Sequence, residues 1–179
     1  MGYGARDAVD TPSLGLTDPR AGAAPLLAKI ATLGRLIGDQ TSRRGVGKHG
    51  RDSRSPEQAL VTIGASAGGP AALSAVLTAL PRSFPPAIVV VQHVDERFLD
   101  GMAEWLDQHS ALPVRLAREG DRPIPGMVLL AGTGNHLVLN AARRLDYTPE
   151  PRDFVYYPSV DVFFRAQAGS GNTKRSAYC

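Results

Sequence analysis

Ser66 stands in the run Gly64-Ala65-Ser66-Ala67-Gly68-Gly69-Pro70, between an apolar segment rich in β-branched residues and a segment of helical texture. A serine on a sharp strand-to-helix turn is held out at the carboxyl edge of a sheet, where its hydroxyl can act as a nucleophile. Small neighbours let the backbone double back without a Cβ clash. A helix N-terminus behind such a turn offers free N–H groups and a positive dipole end, both suited to an oxyanion. The local pattern leaves three readings open: a nucleophile elbow, an anion-binding loop, and a plain structural turn. Detail counts against the anion loop. The dinucleotide pattern has glycine where Ser66 stands, and the P-loop ends in Gly-Lys-Ser/Thr where this chain has Gly69-Pro70.

A serine hydroxyl is a poor nucleophile until a base takes its proton, and histidine titrates in the right range. His93 lies just beyond the apolar run at 87–91 (AIVVV). In a parallel sheet the carboxyl ends of the strands share one edge, which puts His93 and Ser66 within reach of each other. A histidine at a strand end is also a common hydrogen-bonded structural residue. His136, after the turn Gly132-Thr133-Gly134-Asn135, reads as a supporting or structural residue, and His49 and His109 as incidental.

The elements that must position these residues follow from periodicity. Strands are expected at 59–63, 87–91, 114–117 and 127–131, and helices at 71–80 and 99–108. Met102, Trp105 and Leu106 are expected on the inner face of the second helix. The turn at 132–135 is expected to fold 136–139 back as a hairpin. Strands alternating with helices give an α/β fold with a mostly parallel sheet, and continuous apolar strands fit a sheet covered on both faces. Upstream, Leu26, Ile30, Leu33 and Ile37 fall at helical spacing behind Pro25, with Gly38 as a stop.

A chain of 179 residues, 43% hydrophobic and 21% charged, suits one globular domain with or without a linker. The formal net charge of +3 is too small to argue for nucleic acid by itself. The basic residues cluster at Arg43, Arg44, Lys48, Arg51 and Arg54, among glycines and serines and without an aromatic residue, which reads as a solvated linker. Cys179 is the only cysteine, so the chain forms no internal disulfide and no cysteine zinc site, and a cytoplasmic setting is expected. No apolar run approaches the roughly 20 residues of a membrane span, and no signal peptide is recognisable. No cofactor or metal is expected.

Four motifs occur in order: IGASAGGP (63–70), VVVQHV (89–94), GMVLLAGTGNHLVL (126–139) and PSVDVFF (158–164). Together they resemble the CheB-type protein-glutamate methylesterase domain over roughly 58–165. The resemblance implies a doubly wound α/β domain with a Ser-His-Asp triad. It implies hydrolysis of γ-glutamyl methyl esters on the cytoplasmic domains of chemoreceptors, with deamidation of receptor glutamines in some members. Ser66 matches the family nucleophile, His93 the family base, and the N–H of Ala67 a contributor to the oxyanion site. Ala67 stands where many members have threonine.

The N-terminal run GYGARDAVDTPSLG (2–15) resembles the end of the receiver domain of Wsp-type CheB proteins. The expected organisation is therefore a receiver-domain remnant at 1–40, a basic linker at 41–57, the first part of a methylesterase domain at 58–165, and a polar tail at 166–179. The expected partners are a methyl-accepting chemoreceptor as substrate and a chemosensory histidine kinase, with no nucleic acid and no membrane. The family's triad aspartate lies beyond the PSVDVFF motif. Asp95 and Asp161 match other family positions, so no residue is assigned to that role. A truncated or frame-shifted product is expected.

Overall fold

The computed structural model describes residues 59–169 and 177–178, together with Ala24, Pro25, Leu27, Ala28, Lys29 and Thr32. The basic cluster, His49 and Cys179 lie outside the described residues, as do Leu26, Ile30, Leu33 and Ile37 of the upstream helix. The positions described there are helical, and half-buried Leu27 packs against the core.

Among the described residues from 59 on, seven strands and three α-helices follow one another. Strand β1 (Leu60–Ala65) leads into α1 (Gly69–Ala79), and β2 (Ala87–Gln92) into a short 3-10 turn (Glu96–Phe98) and α2 (Leu99–His109). Next come β3 (Val114–Leu116), β4 (Val128–Leu130), β5 (His136–Leu139), β6 (Leu145–Thr148), α3 (Val160–Gly169) and β7 (Ala177–Tyr178). The main sheet has the order β3-β4-β2-β1-β7, and all its pairings are parallel.

The apolar run of β2 fits this central place. Ile88 to Val91 are wholly buried, because both faces of the sheet are covered. Ile88 and Val90 face one layer, with Leu73, Val76 and Leu77 of α1 and Leu99, Met102 and Leu106 of α2. Ala87, Val89 and Val91 face the other, with Leu137, Leu139 and Leu145 of the hairpin and Phe163 of α3. The period-two alternation of a strand thus feeds two cores at once. The fold is α/β with a mostly parallel, doubly covered sheet.

Two expectations need correction. The hairpin is β5 with β6, paired from His136↔Thr148 to Leu139↔Leu145, and not 127–131 with 136–139. Strand β4 has β2 on one side and β3 on the other, both parallel, so neither edge is free for a returning strand. The chain leaves the sheet at Gly132 instead and turns at Asn140, whose Oδ1 accepts from the Arg144 N–H at 3.0 Å. The second correction is Trp105, which is 38% exposed. The buried stripe of α2 is Leu99, Met102, Ala103 and Leu106, and Trp105 lies roughly a quarter turn or more round the helix from its centre.

On the second face, α3 runs beyond the boundary drawn at 165, and β7 joins β1 at Ile63↔Ala177 and Gly64↔Tyr178. Val160, the first residue of α3, lies so close to β1 that a Cβ on Gly64 would overlap its Cγ1. Glycine at 64 therefore lets the start of α3 reach the carboxyl edge of the sheet. Among the described residues no helix is long and apolar enough to cross a membrane.

Candidate active site

The parallel register of β1 and β2 places Ala65 opposite Gln92, so the next residues, Ser66 and His93, step off adjacent strands at the same edge. The His93 N–H donates to the Ala65 carbonyl at 3.0 Å and carries the ladder one rung further. Beyond Ser66 the chain reverses. The Gly69 N–H donates to the Ser66 carbonyl at 2.8 Å, and Gly68 caps α1 in the left-handed region at φ 76°. A residue with a Cβ is strained there. Pro70 occupies the first turn of α1, where a missing N–H costs nothing.

The two side chains meet. Ser66 Oγ lies 3.2 Å from His93 Nδ1, within hydrogen-bond reach for a nucleophile and its base. Ser66 is exposed and His93 half-buried, so a substrate has access to the pair. The N–H of Ala67 has no hydrogen-bond partner among the described residues, and the first turn of α1 carries no acidic side chain. An oxyanion above Ser66 would find that N–H and the positive end of the α1 dipole.

His93 has two further neighbours. Its Nε2 accepts from the Val160 N–H at 3.5 Å, a long bond at the N-terminus of α3. The Tyr156 ring stacks on the imidazole at a centroid distance of 4.7 Å and an interplanar angle of 15°. Burial pushes the His93 pKa down, and the charge of Asp161 partly opposes that. Among the described residues no carboxylate is hydrogen-bonded to His93; Asp161 acts on it through its field.

The other expected residues fall elsewhere. Asp95 caps the 3-10 turn and pairs with Arg97, which holds its carboxyl at about 2. His109 sits at the end of α2 against the Trp105 carbonyl. His136 is fully buried and supports the loop that leads to α3: its Nε2 donates to the Pro151 carbonyl and its Nδ1 accepts from the Ser159 N–H, each at 3.0 Å. Two neighbours of the pair were not anticipated from the sequence, Tyr156 and Gln92. A glutamine closing an otherwise apolar strand, directly before the histidine, was the available signal for the second. Among the described residues no three His, Cys, Asp or Glu side chains converge as metal ligands.

Comparison with known proteins identifies the family. A family model described as CheB methylesterase matches residues 61–177. The chain is 57% identical over 168 residues to protein-glutamate methylesterase/protein-glutamine glutaminase 3 of Pseudomonas aeruginosa, covering 94% of this chain and 50% of that protein. It is 58% identical over 170 residues to protein-glutamate methylesterase/protein-glutamine glutaminase 1 of Bordetella avium, covering 94% and 49%. The chain thus spans about half the length of the curated relatives it matches. The crystal structure of the Thermotoga maritima CheB methylesterase catalytic domain superposes with a TM-score of 0.60 at 32% identity, covering 68% of this chain and 66% of that one.

Proposed function

Because the chain belongs to the CheB methylesterase family, we propose that it hydrolyses γ-glutamyl methyl esters on the cytoplasmic domain of a methyl-accepting chemoreceptor. The observation that carries this reading is the 3.2 Å approach of Ser66 Oγ to His93 Nδ1 at the carboxyl edge of the sheet.

In the proposed reaction Ser66 Oγ attacks the ester carbonyl while His93 takes its proton. The carbonyl oxygen becomes an oxyanion and is met by the Ala67 N–H. Collapse of the tetrahedral intermediate breaks the bond to methoxide, which leaves as methanol with the proton from His93. Water then attacks the acyl-serine, again with His93 as base, and releases the glutamate carboxylate. A glutamine side chain would follow the same course with ammonia as the leaving group.

For His93 to accept from Ser66, Nδ1 must be bare and Nε2 must carry the ring proton. The Val160 N–H opposes Nε2 and favours the other tautomer, but at 3.5 Å it does so weakly. The absence of a carboxylate hydrogen bond to His93 among the described residues supports one alternative, a binding unit of a chemosensory regulator that engages receptor or kinase without hydrolysis. We place the protein in the cytoplasm, where the expected substrate segment lies.

The test is methanol release from a methylated receptor domain, beside the Ser66→Ala chain. Release that disappears in the variant supports the esterase. No release from a folded chain that still binds the receptor supports the alternative.

A further inference from the structure

Gln92 is the last residue of β2 and is 2% exposed. Its Nε2 donates to two backbone carbonyls, that of Ser66 at 2.9 Å and that of His93 at 2.9 Å. These are the peptide units of the two residues whose side chains meet. Its Oε1 has no partner among the described residues. Room for the amide comes from Gly69: a Cβ there would overlap Gln92 Oε1 and lie 2.9 Å from the Cβ of Ala65.

We propose that Gln92 is a positioning residue for the ester hydrolysis, its buried amide joining the Ser66 and His93 peptides and so setting the separation across which nucleophile and base meet. A half-satisfied buried amide costs stability relative to an apolar side chain of the same shape. Core packing therefore does not call for a glutamine here. What the amide supplies is a fixed relation between two turns that leave the sheet from different strands. The β1–β2 ladder ends at the His93 N–H, and beyond it Gln92 is the side chain that bonds to both turns. A shift of about 1 Å between reacting groups can cost on the order of 10²-fold in rate.

The inference rests on the reading of Ser66 and His93 as nucleophile and base, and the experiment separates the two. A fluorophosphonate labels an activated serine without need of a receptor. For Gln92→Met, similar in length and without a donor, the expected result is a folded chain whose maximal labelling rate falls about 10- to 100-fold while the half-saturating probe concentration stays the same. A rate within about twofold of the wild type, in a folded variant, overturns the inference alone. A wild-type chain no more reactive than Ser66→Ala overturns the esterase reading and this inference with it. If Gln92→Met fails to fold, the wild-type chain decides by NMR. A Gln92 side-chain NH₂ pair protected from solvent exchange supports the bridge, and exchange at the rate of a free glutamine amide overturns it.

Discussion

His93 and His136 sit at opposite extremes of how a fold can hold an imidazole. His136 is fully buried, with both ring nitrogens bonded to backbone groups at 3.0 Å, and it is stacked on Tyr157 at 4.4 Å. The carbonyl at one nitrogen and the N–H at the other set its tautomer. His93 is half-buried, has one contact to a serine hydroxyl and one long contact to a peptide N–H, and stacks on an exposed tyrosine. A ring held that loosely keeps a nitrogen available for proton transfer. The difference lies in the partners: backbone groups at both nitrogens make a brace, and a side-chain hydroxyl at one of them suits the ring to the proposed role of base.

Substitution should separate the two roles. The largest expected effect belongs to the proposed catalytic pair. Ser66→Ala or His93→Ala should lower ester hydrolysis by about 10³-fold or more, with the unfolding midpoint close to that of the wild type. His136→Ala should do the reverse. It leaves the Ser159 N–H and the Pro151 carbonyl without their buried partner, and should cost about 2–4 kcal/mol in denaturant unfolding. Activity per folded molecule should fall much less than in His93→Ala. Equal stability losses at the two histidines would break the comparison.

The difference between the histidines was only partly legible in the sequence. The strand-turn-helix around Ser66 and the position of His93 after AIVVV could be read because both depend on local pattern and on one rule of parallel sheets. The β5–β6 hairpin was missed because the neighbours of β4 are set by distant strands, and nothing in 127–139 records that both its edges are taken. Trp105 was misplaced because it flanks Leu106, where large apolar residues blur the edge of the stripe. Tyr156 lies 63 positions from His93, which it meets through a loop anchored by His136, and no local pattern reports a contact of that kind.

Tyr156 offers an intermediate effect that sharpens the contrast. Its ring limits the rotation of His93 yet is 58% exposed, so removing it should disturb orientation more than folding. Tyr156→Ala should lower kcat by about two- to fivefold, the scale of one aromatic contact, and Tyr156→Phe should restore it because the ring is kept. Loss of activity in both variants would assign the effect to the hydroxyl and set the stacking account aside.

The smallest effect concerns the charge that His93 feels. Burial lowers its pKa, and the carboxylate of Asp161, exposed in the first turn of α3, raises it in part. In the proposed reaction the neutral ring is the active form, so kcat/KM should rise with pH as His93 loses its proton, with a midpoint below that of an ordinary histidine. Asp161→Asn removes the opposing charge, and the rising limb should move to still lower pH while the plateau stays where it is. An exposed carboxylate acts through solvent, so the displacement should shrink as salt is raised from low ionic strength to about 0.5 M. A displacement that persists in high salt would mean that Asp161 reaches His93 by direct contact, and His93 would then have the carboxylate partner that His136 manages without. A profile that does not move even at low salt would leave burial alone in control of the base.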